Sequence, residues 1–354
     1  MIEVTFWNHR HNQDVRVGRL KPQHFAVGAT GNLHVKSECV KAGLPVIRAI
    51  ITLGLMVVVL TAAASAGPLE DAAAAYRQGN YAAALRIIRP LARKGYARAQ
   101  LKLGLIYVSG NGVPQDYGEA SKWYRQAADQ GNAAAQRNLG VMLAKRLGVP
   151  QDYAEAMKWF RRAAEQNDAV AQTNLGVMYD FGHGVVQNYA EALKWYRKAA
   201  NHGHAEARYN LGVIYEHGDG VLQSCVEAAR RYHLAADQGY AAAQSNLGAM
   251  YDRGECVPQN YREALKWYSK AAEQGNAAAQ YNIGSIYANG HGVPQDDVTA
   301  HLWFSLSAAQ GDEDAAKNRD LLAQHMTSAQ IGEAQKLARE WKPKPQRDQL
   351  SDMR

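Results

Sequence analysis

The phrase Gly-x-Gly-Val-Pro-Gln-Asp-Tyr, with variants, recurs along the chain at a fixed interval, and that interval constrains the fold more than any other feature. GNGVPQDYGEASKWY starts at Gly110, GHGVVQNYAEALKWY at Gly182, GECVPQNYREALKWY at Gly254 and GHGVPQDDVTAHLWF at Gly290. The units that contain them begin at Ala97, Ala133, Ala169, Ala205, Ala241 and Ala277, each 36 residues after the last, with no insertion or deletion. A fixed period of this length marks stacked copies of one supersecondary unit. A Gly-rich turn entering a helix also resembles a phosphate loop. Such a loop is used once, follows a strand and ends in Lys-Ser/Thr. Here the phrase repeats, follows a helix and lacks that Lys, so it reads as turn chemistry.

Each unit reads as two helices. In the third, Ala171, Leu175 and Met178 fall three or four apart, which predicts a first helix over about Ala171 to Tyr179. The loop glycines Gly110, Gly182, Gly218, Gly254 and Gly290 follow, and Pro114, Pro150, Pro258 and Pro294 keep the chain extended. Capping boxes are expected at the second helix: Asp116–Glu119, Asp152–Glu155, Asn188–Glu191, Ser224–Glu227 and Asn260–Glu263. Gly131, Asn167, Gly203, Gly239, Gly275 and Gly311 suit left-handed C-terminal caps. Ala99 and Gly104 recur unchanged in all six units and let helices approach closely. Trp123, Trp159, Trp195, Trp267 and Trp303 are expected to fill the wider gaps, with Arg231 in the fourth unit. One hairpin cannot bury such a face alone, so the predicted fold is an all-α solenoid.

The pattern, carried by blocks such as AAAQRNLGVMLAKRLGVPQDYAEAMKWFRRAAEQ (Ala133–Gln166), resembles the Sel1-like repeats, relatives of the tetratricopeptide repeats. Six full repeats cover 97–312. The resemblance implies a right-handed α-solenoid whose first helices line a concave face. It also implies a scaffold or adaptor role in a protein complex rather than catalysis.

Outside the repeats, residues 67–96 read as a degenerate capping hairpin and 313–341 as C-terminal capping helices, the second opened by a Thr327–Gln330 capping box. The polar tail 342–354 is expected to be disordered. Residues 1–48 form an unassigned extension that ends in the basic flank Lys41 and Arg48, and 49–66 have the anatomy of a signal-peptide core with a small-x-small cleavage site at Ala64 and Ala66. Because that core lies far from Met1, translation is expected to start near Val40 or Leu44. The reading is export to the periplasm, without stable membrane insertion if the signal is cleaved; the alternative is an inner-membrane anchor facing the periplasm.

The whole chain carries 40 Lys and Arg against 33 Asp and Glu, a net +7. Residues 1–66 hold seven of the basic and three of the acidic residues, leaving about +3 for the rest. No concentrated basic stripe with interleaved aromatics marks a nucleic-acid partner. His183, His202, His204 and His217 form separated pairs without the convergent ligands that a metal needs. No hydrolase or metalloprotease motif stands outside the repeat logic. No cofactor, metal or catalytic residue is expected.

Two cysteines break the repeat. Cys225 stands where Tyr117, Tyr153, Tyr189 and Tyr261 set the pattern, and Cys256 stands where Gly112, Gly148, Gly184, Gly220 and Gly292 do. In an oxidising compartment they could form a disulfide between adjacent repeats; the other reading is a buried thiol at 225 and an exposed one at 256.

For the concave face, Asn138, Asn174, Asn210, Asn246 and Asn282 recur at one position and form either backbone-bonding amides or a grip on an extended peptide. Among variable positions, Asp180, Phe181, Glu206, Tyr209, Glu216, His217, Asp252, Arg253 and Tyr281 give aromatic anchors in a charged surround, so a groove is expected over repeats three to five. The functional expectation is an envelope adaptor binding a protein or peptide; oligomeric state stays open, a monomer included. The alternatives are direct binding of peptidoglycan or another envelope glycan and, more weakly, a cell-wall hydrolase.

Overall fold

Helix formation starts at the caps. A computed structural model of the chain describes residues 67–344. The predicted extension, signal core, Ala64, Ala66 and the tail beyond Lys344 lie outside the described residues. The first helices of the six repeats are α3 (Ala97–Ser109), α5 (Ala133–Lys145), α7 (Ala169–Phe181), α9 (Ala205–His217), α11 (Ala241–Arg253) and α13 (Ala277–Asn289). The second helices are α4 (Tyr117–Asp129), α6 (Tyr153–Glu165), α8 (Tyr189–Asn201), α10 (Cys225–Ala236), α12 (Tyr261–Glu273) and α14 (Asp297–Ala308). Before them stand α1 (Pro68–Arg77) and α2 (Tyr81–Arg93), and after them α15 (Glu313–Ala323) and α16 (Ser328–Glu340). No strand occurs among the described residues. In the third repeat the first helix starts two residues earlier than periodicity suggests, because Asp168 accepts the Ala171 N–H and so caps Ala169.

The expected capping boxes are half made. Asp152 accepts the Glu155 N–H at 2.8 Å and Asn188 the Glu191 N–H at 3.1 Å. The reciprocal bond is missing because the cap N–H is already engaged across the hairpin. Asp152 N–H donates to Leu143 O at 3.1 Å and Asn188 N–H to Tyr179 O at 2.8 Å. Some of the glutamates turn instead to lysines one helical turn on, as in Lys194–Glu191 at 3.0 Å and Lys266–Glu263 at 3.1 Å, while Glu155 pairs with Arg125 of the preceding repeat at 2.7 Å. Thr327 and Gln330 form the complete box.

First helices end on a left-handed residue: Gly110, Gly182, Gly218, Gly254 and Gly290 take it without cost, and Arg146 takes it at φ 58°. In repeats one to five the loop glutamine before the second helix covers a last carbonyl of that first helix. Gln151 Nε2 donates to Ala144 O at 2.8 Å and Gln223 Nε2 to Glu216 O at 2.8 Å.

Within each hairpin the glycine of the first helix receives an aromatic ring from the second. A Cβ placed on Gly104, Gly212 or Gly248 would meet ring carbons of Tyr124, Tyr232 or Tyr268 at 2.5, 2.6 and 2.7 Å. The Tyr or Phe after each tryptophan position therefore fills the hairpin interior, while the tryptophan lies toward the neighbouring repeat. Trp267 packs with the core of repeats four and five and meets His233 edge-on at 5.6 Å.

Repeats are joined by apolar clusters and by a buried amide ladder. Gln136 Nε2 donates to Ala128 O, the last turn of the previous repeat, at 3.1 Å, and Gln166 Nε2 donates to Gln136 Oε1 at 2.8 Å. The same pair recurs as Gln244 with Ala236 O and Gln274. In the third repeat His202 replaces the outer glutamine, and Gln172 Oε1 is left without a partner. Each helix packs on its sequence neighbours, so the chain stacks as a one-dimensional array; at the C-terminal end α14 packs on both α15 and α16. The start of the expected disordered tail is held: Lys344 N–H donates to Glu273 O at 2.7 Å, and Trp341 meets Trp303 edge-on at 6.3 Å.

Candidate functional site

The interior tyrosines organise the first helices of repeats three to five. Tyr196 Oη donates to Asp180 at 3.2 Å, Tyr232 Oη to Glu216 at 2.5 Å and Tyr268 Oη to Asp252 at 3.3 Å. Three successive repeats thus hold a carboxylate at one position, each fixed from below by a buried phenol. Where the ring is Phe160 or Phe304, the position carries Ala144 or Ala288 instead. Repeat one pairs Tyr124 with Val108, and its hydroxyl turns to Asn138 of the next repeat. Burial raises the pKa of all three phenols well above their ordinary value, with the carboxylates adding to it. Burial also raises the Asp252 carboxyl, against the opposing hydrogen bond from Tyr268. Sequence reasoning singled out Asp180, Glu216 and Asp252 but missed the tyrosines. The pairing of acid with Tyr and Ala with Phe across repeats was the available signal.

The remaining predicted groove residues divide by burial. Phe181, Glu216, Asn246, Asp252, Arg253, Tyr281 and Asn282 are half-buried. Phe181 stacks on His183 at 5.9 Å, Arg253 pairs with Glu255 at 3.8 Å, and the Tyr281 hydroxyl accepts from Asn318 at 3.0 Å. Asn246 bonds the Tyr232 hydroxyl, so that rung of the amide series is structural. Tyr209, expected as an exposed anchor, is 7 % exposed and packs against Tyr232 and Tyr240 at 5.6 and 5.2 Å. Asn174 and Asn210 are 1 % and 9 % exposed. Asn174 Nδ2 has no partner, because the ring below it is Phe160 and offers no hydroxyl. These three correct the expected groove: the first helices lie close enough together to cover them.

The N-cap residue of α9, His204, is a half-buried histidine. His204 Nδ1 lies 2.8 Å from Thr173 Oγ1, and the ion pair Arg137–Asp168 stands one repeat before it at 3.1 Å. Burial, and then the Arg137 charge, lower the imidazole pKa to about 4. The folded chain therefore binds its proton less readily than the unfolded chain does. Stability is expected to fall as pH drops from about 6.5 toward 4, where the unfolded state binds the extra proton. Urea midpoints at pH 7 and 4.5 would read this, and His204→Gln should reduce the difference; an equal difference in both proteins would refute it.

Cys225 and Cys256 form a disulfide with Cα atoms 5.6 Å apart, and both residues are exposed. Among the described residues no group of three His, Cys, Asp or Glu could hold a metal ion, and no helix is long and apolar enough to cross a membrane.

Comparison with known proteins places this geometry. A Sel1 repeat protein from Oxalobacter formigenes shares 37 % identity over 68 % of this chain and 99 % of its own, with a TM-score of 0.66. The c5321 protein, a protective antigen present in uropathogenic Escherichia coli strains and displaying an SLR fold, shares 29 % identity over 77 % of this chain and 67 % of its own, with a TM-score of 0.50. No curated protein matches the chain. The Sel1 repeat model matches 97–132, 133–168, 169–204, 205–240, 241–276 and 277–312, the same boundaries as the period. Proteins built from this repeat are generally protein-interaction scaffolds. With six units in unbroken phase over most of its length, this chain belongs to the Sel1 repeat family.

Proposed function

We propose that the chain is a non-catalytic adaptor that holds a protein or peptide partner on the face formed by its first helices, as a regulator or assembly factor of the bacterial envelope. The supporting observation is the row of Asp180, Glu216 and Asp252, each set by a buried tyrosine hydroxyl on successive repeats. Stack packing does not require acids there, since Ala144 and Ala288 occupy the position in other repeats. Phe181, Arg253, Asn246, Tyr281 and Asn282 flank the row, half-buried. Aromatic and charged groups held in fixed geometry are what a protein partner reads. Export is supported by the apolar run that ends at Ala64-Ser65-Ala66.

Direct glycan binding would use stacking tryptophans, and Trp159, Trp195 and Trp267 are buried at 6, 7 and 4 % exposure. The test is photocrosslinking from Phe181 and from Tyr281 in living cells. A discrete envelope protein should be captured from both, and Glu216→Gln with Asp252→Asn should weaken its binding by about tenfold. Captured glycan, or nothing above background from either position, would overturn the proposal.

A further inference from the structure

At every other junction between repeats, the loop glycine of one repeat touches the first tyrosine of the preceding second helix. A Cβ placed on Gly112 would stand 2.6 Å from Tyr81 Cβ, on Gly184 2.7 Å from Tyr153 Cβ, on Gly220 2.5 Å from Tyr189 Cβ and on Gly292 2.7 Å from Tyr261 Cβ. No side chain fits there opposite a tyrosine. The tyrosine also ties the loop down. Its hydroxyl accepts from the loop glutamine two residues before it, as in Gln187–Tyr189 at 3.0 Å and Gln259–Tyr261 at 2.9 Å. Its ring stacks on a loop histidine of the next repeat in Tyr153–His183 at 5.0 Å and Tyr261–His291 at 4.7 Å.

Between repeats four and five both partners of this contact are changed at once. Cys225 replaces the tyrosine, and Cys256 replaces the glycine while keeping its left-handed backbone at φ 63°. The approach that elsewhere excludes a Cβ brings the two cysteines within bonding reach. The ring is lost with the tyrosine. Gln223 keeps its bond to Glu216 O but has no phenol to meet, since residue 225 is Cys. At this loop edge the disulfide stands in for both the close packing and the aromatic tie of the other junctions.

We propose that Cys225–Cys256 is a redox-sensitive clasp: oxidised, it closes the loop edge between repeats four and five, and reduced, it leaves that edge as the loosest junction in the stack. The far side of the junction keeps its own apolar cluster, including Tyr232, Leu247 and Trp267. Reduction therefore loosens the edge without unfolding the array. Glu216 and Asp252 flank the junction, one on each side, so the clasp sets their spacing. The reductant is a dithiol. One of its thiolates attacks an exposed Sγ, the Cys–Cys bond breaks, and the other cysteine leaves as a thiolate that takes a proton. The second dithiol sulfur then attacks the mixed disulfide and frees the second cysteine. Two electrons pass to the protein, and the dithiol departs as its own disulfide.

This inference does not depend on the adaptor reading, and its test uses no partner. Hydrogen exchange is followed with and without dithiothreitol, after thiol counting confirms two free cysteines. The amides to read are Glu255, which bonds Met250 O at 3.1 Å, and Asn260, which bonds Tyr251 O at 2.8 Å. In the wild type both should exchange about tenfold faster once reduced. Cys225→Tyr/Cys256→Gly, which restores the contact of the other junctions, should be protected and indifferent to reductant. Should that variant not fold, Cys256→Gly alone, which cannot form the bond, must be indifferent while the wild type responds. Unchanged exchange in the reduced wild type, or an equal response in a variant without the bond, would overturn the clasp.

Discussion

Replacing Gly212 by alanine is expected to destabilise the solenoid by about 3 kcal/mol, the upper end for overpacking a filled interior. The new Cβ would stand 2.6 Å from Cδ1 and Cε1 of Tyr232. That ring has no exposed surface, and its hydroxyl is bonded to Glu216, so it has no free direction in which to move. The same substitution at Gly332, an exposed position inside α16 with nothing within 4 Å of a new Cβ, should stabilise by roughly 0.5–1 kcal/mol through helix propensity. Urea midpoints of the two variants must move in opposite directions. A neutral Gly212→Ala would mean that the hairpin interior is not filled as described.

Tyr209→Ala is expected to cost about 3–5 kcal/mol, the range for truncating a buried aromatic. The side chain lies in the cluster that also holds Tyr232, Leu247 and Trp267, and it packs on Tyr240 at the N-cap of α11, the next first helix. Tyr209→Phe, which keeps the ring, should stay within about 1 kcal/mol of the wild type. A Tyr209→Ala protein with an unchanged urea midpoint and a weakened partner would return Tyr209 to the groove. Tyr281→Ala should be milder because that ring is half-buried, although its hydroxyl ties the first C-terminal capping helix through Asn318.

The sequence by itself determined the features that depend on a few consecutive residues. The unit boundaries, two helices per unit, the left-handed stops at Gly182 and Asn167, the N-caps at Asp152 and Asn188 and the Thr327–Gln330 box all follow from local backbone chemistry. The placing of Cys225 and Cys256 outside the pattern was also legible, though not whether they bond. Tertiary structure decided what depends on the distance between segments. The second half of each capping box was lost because an N–H found Leu143 O or Tyr179 O on the facing helix. The Tyr232 ring filled the space over Gly212 while Trp267 turned to the neighbouring repeat, a choice that adjacent letters in the sequence do not encode. Tyr209 and Asn174 were covered, and Glu216 and Asp252 were left half-buried, by the spacing of successive first helices. Periodicity reports which face a residue shares; only the packed neighbours settle whether that face meets solvent, a ring or the next repeat.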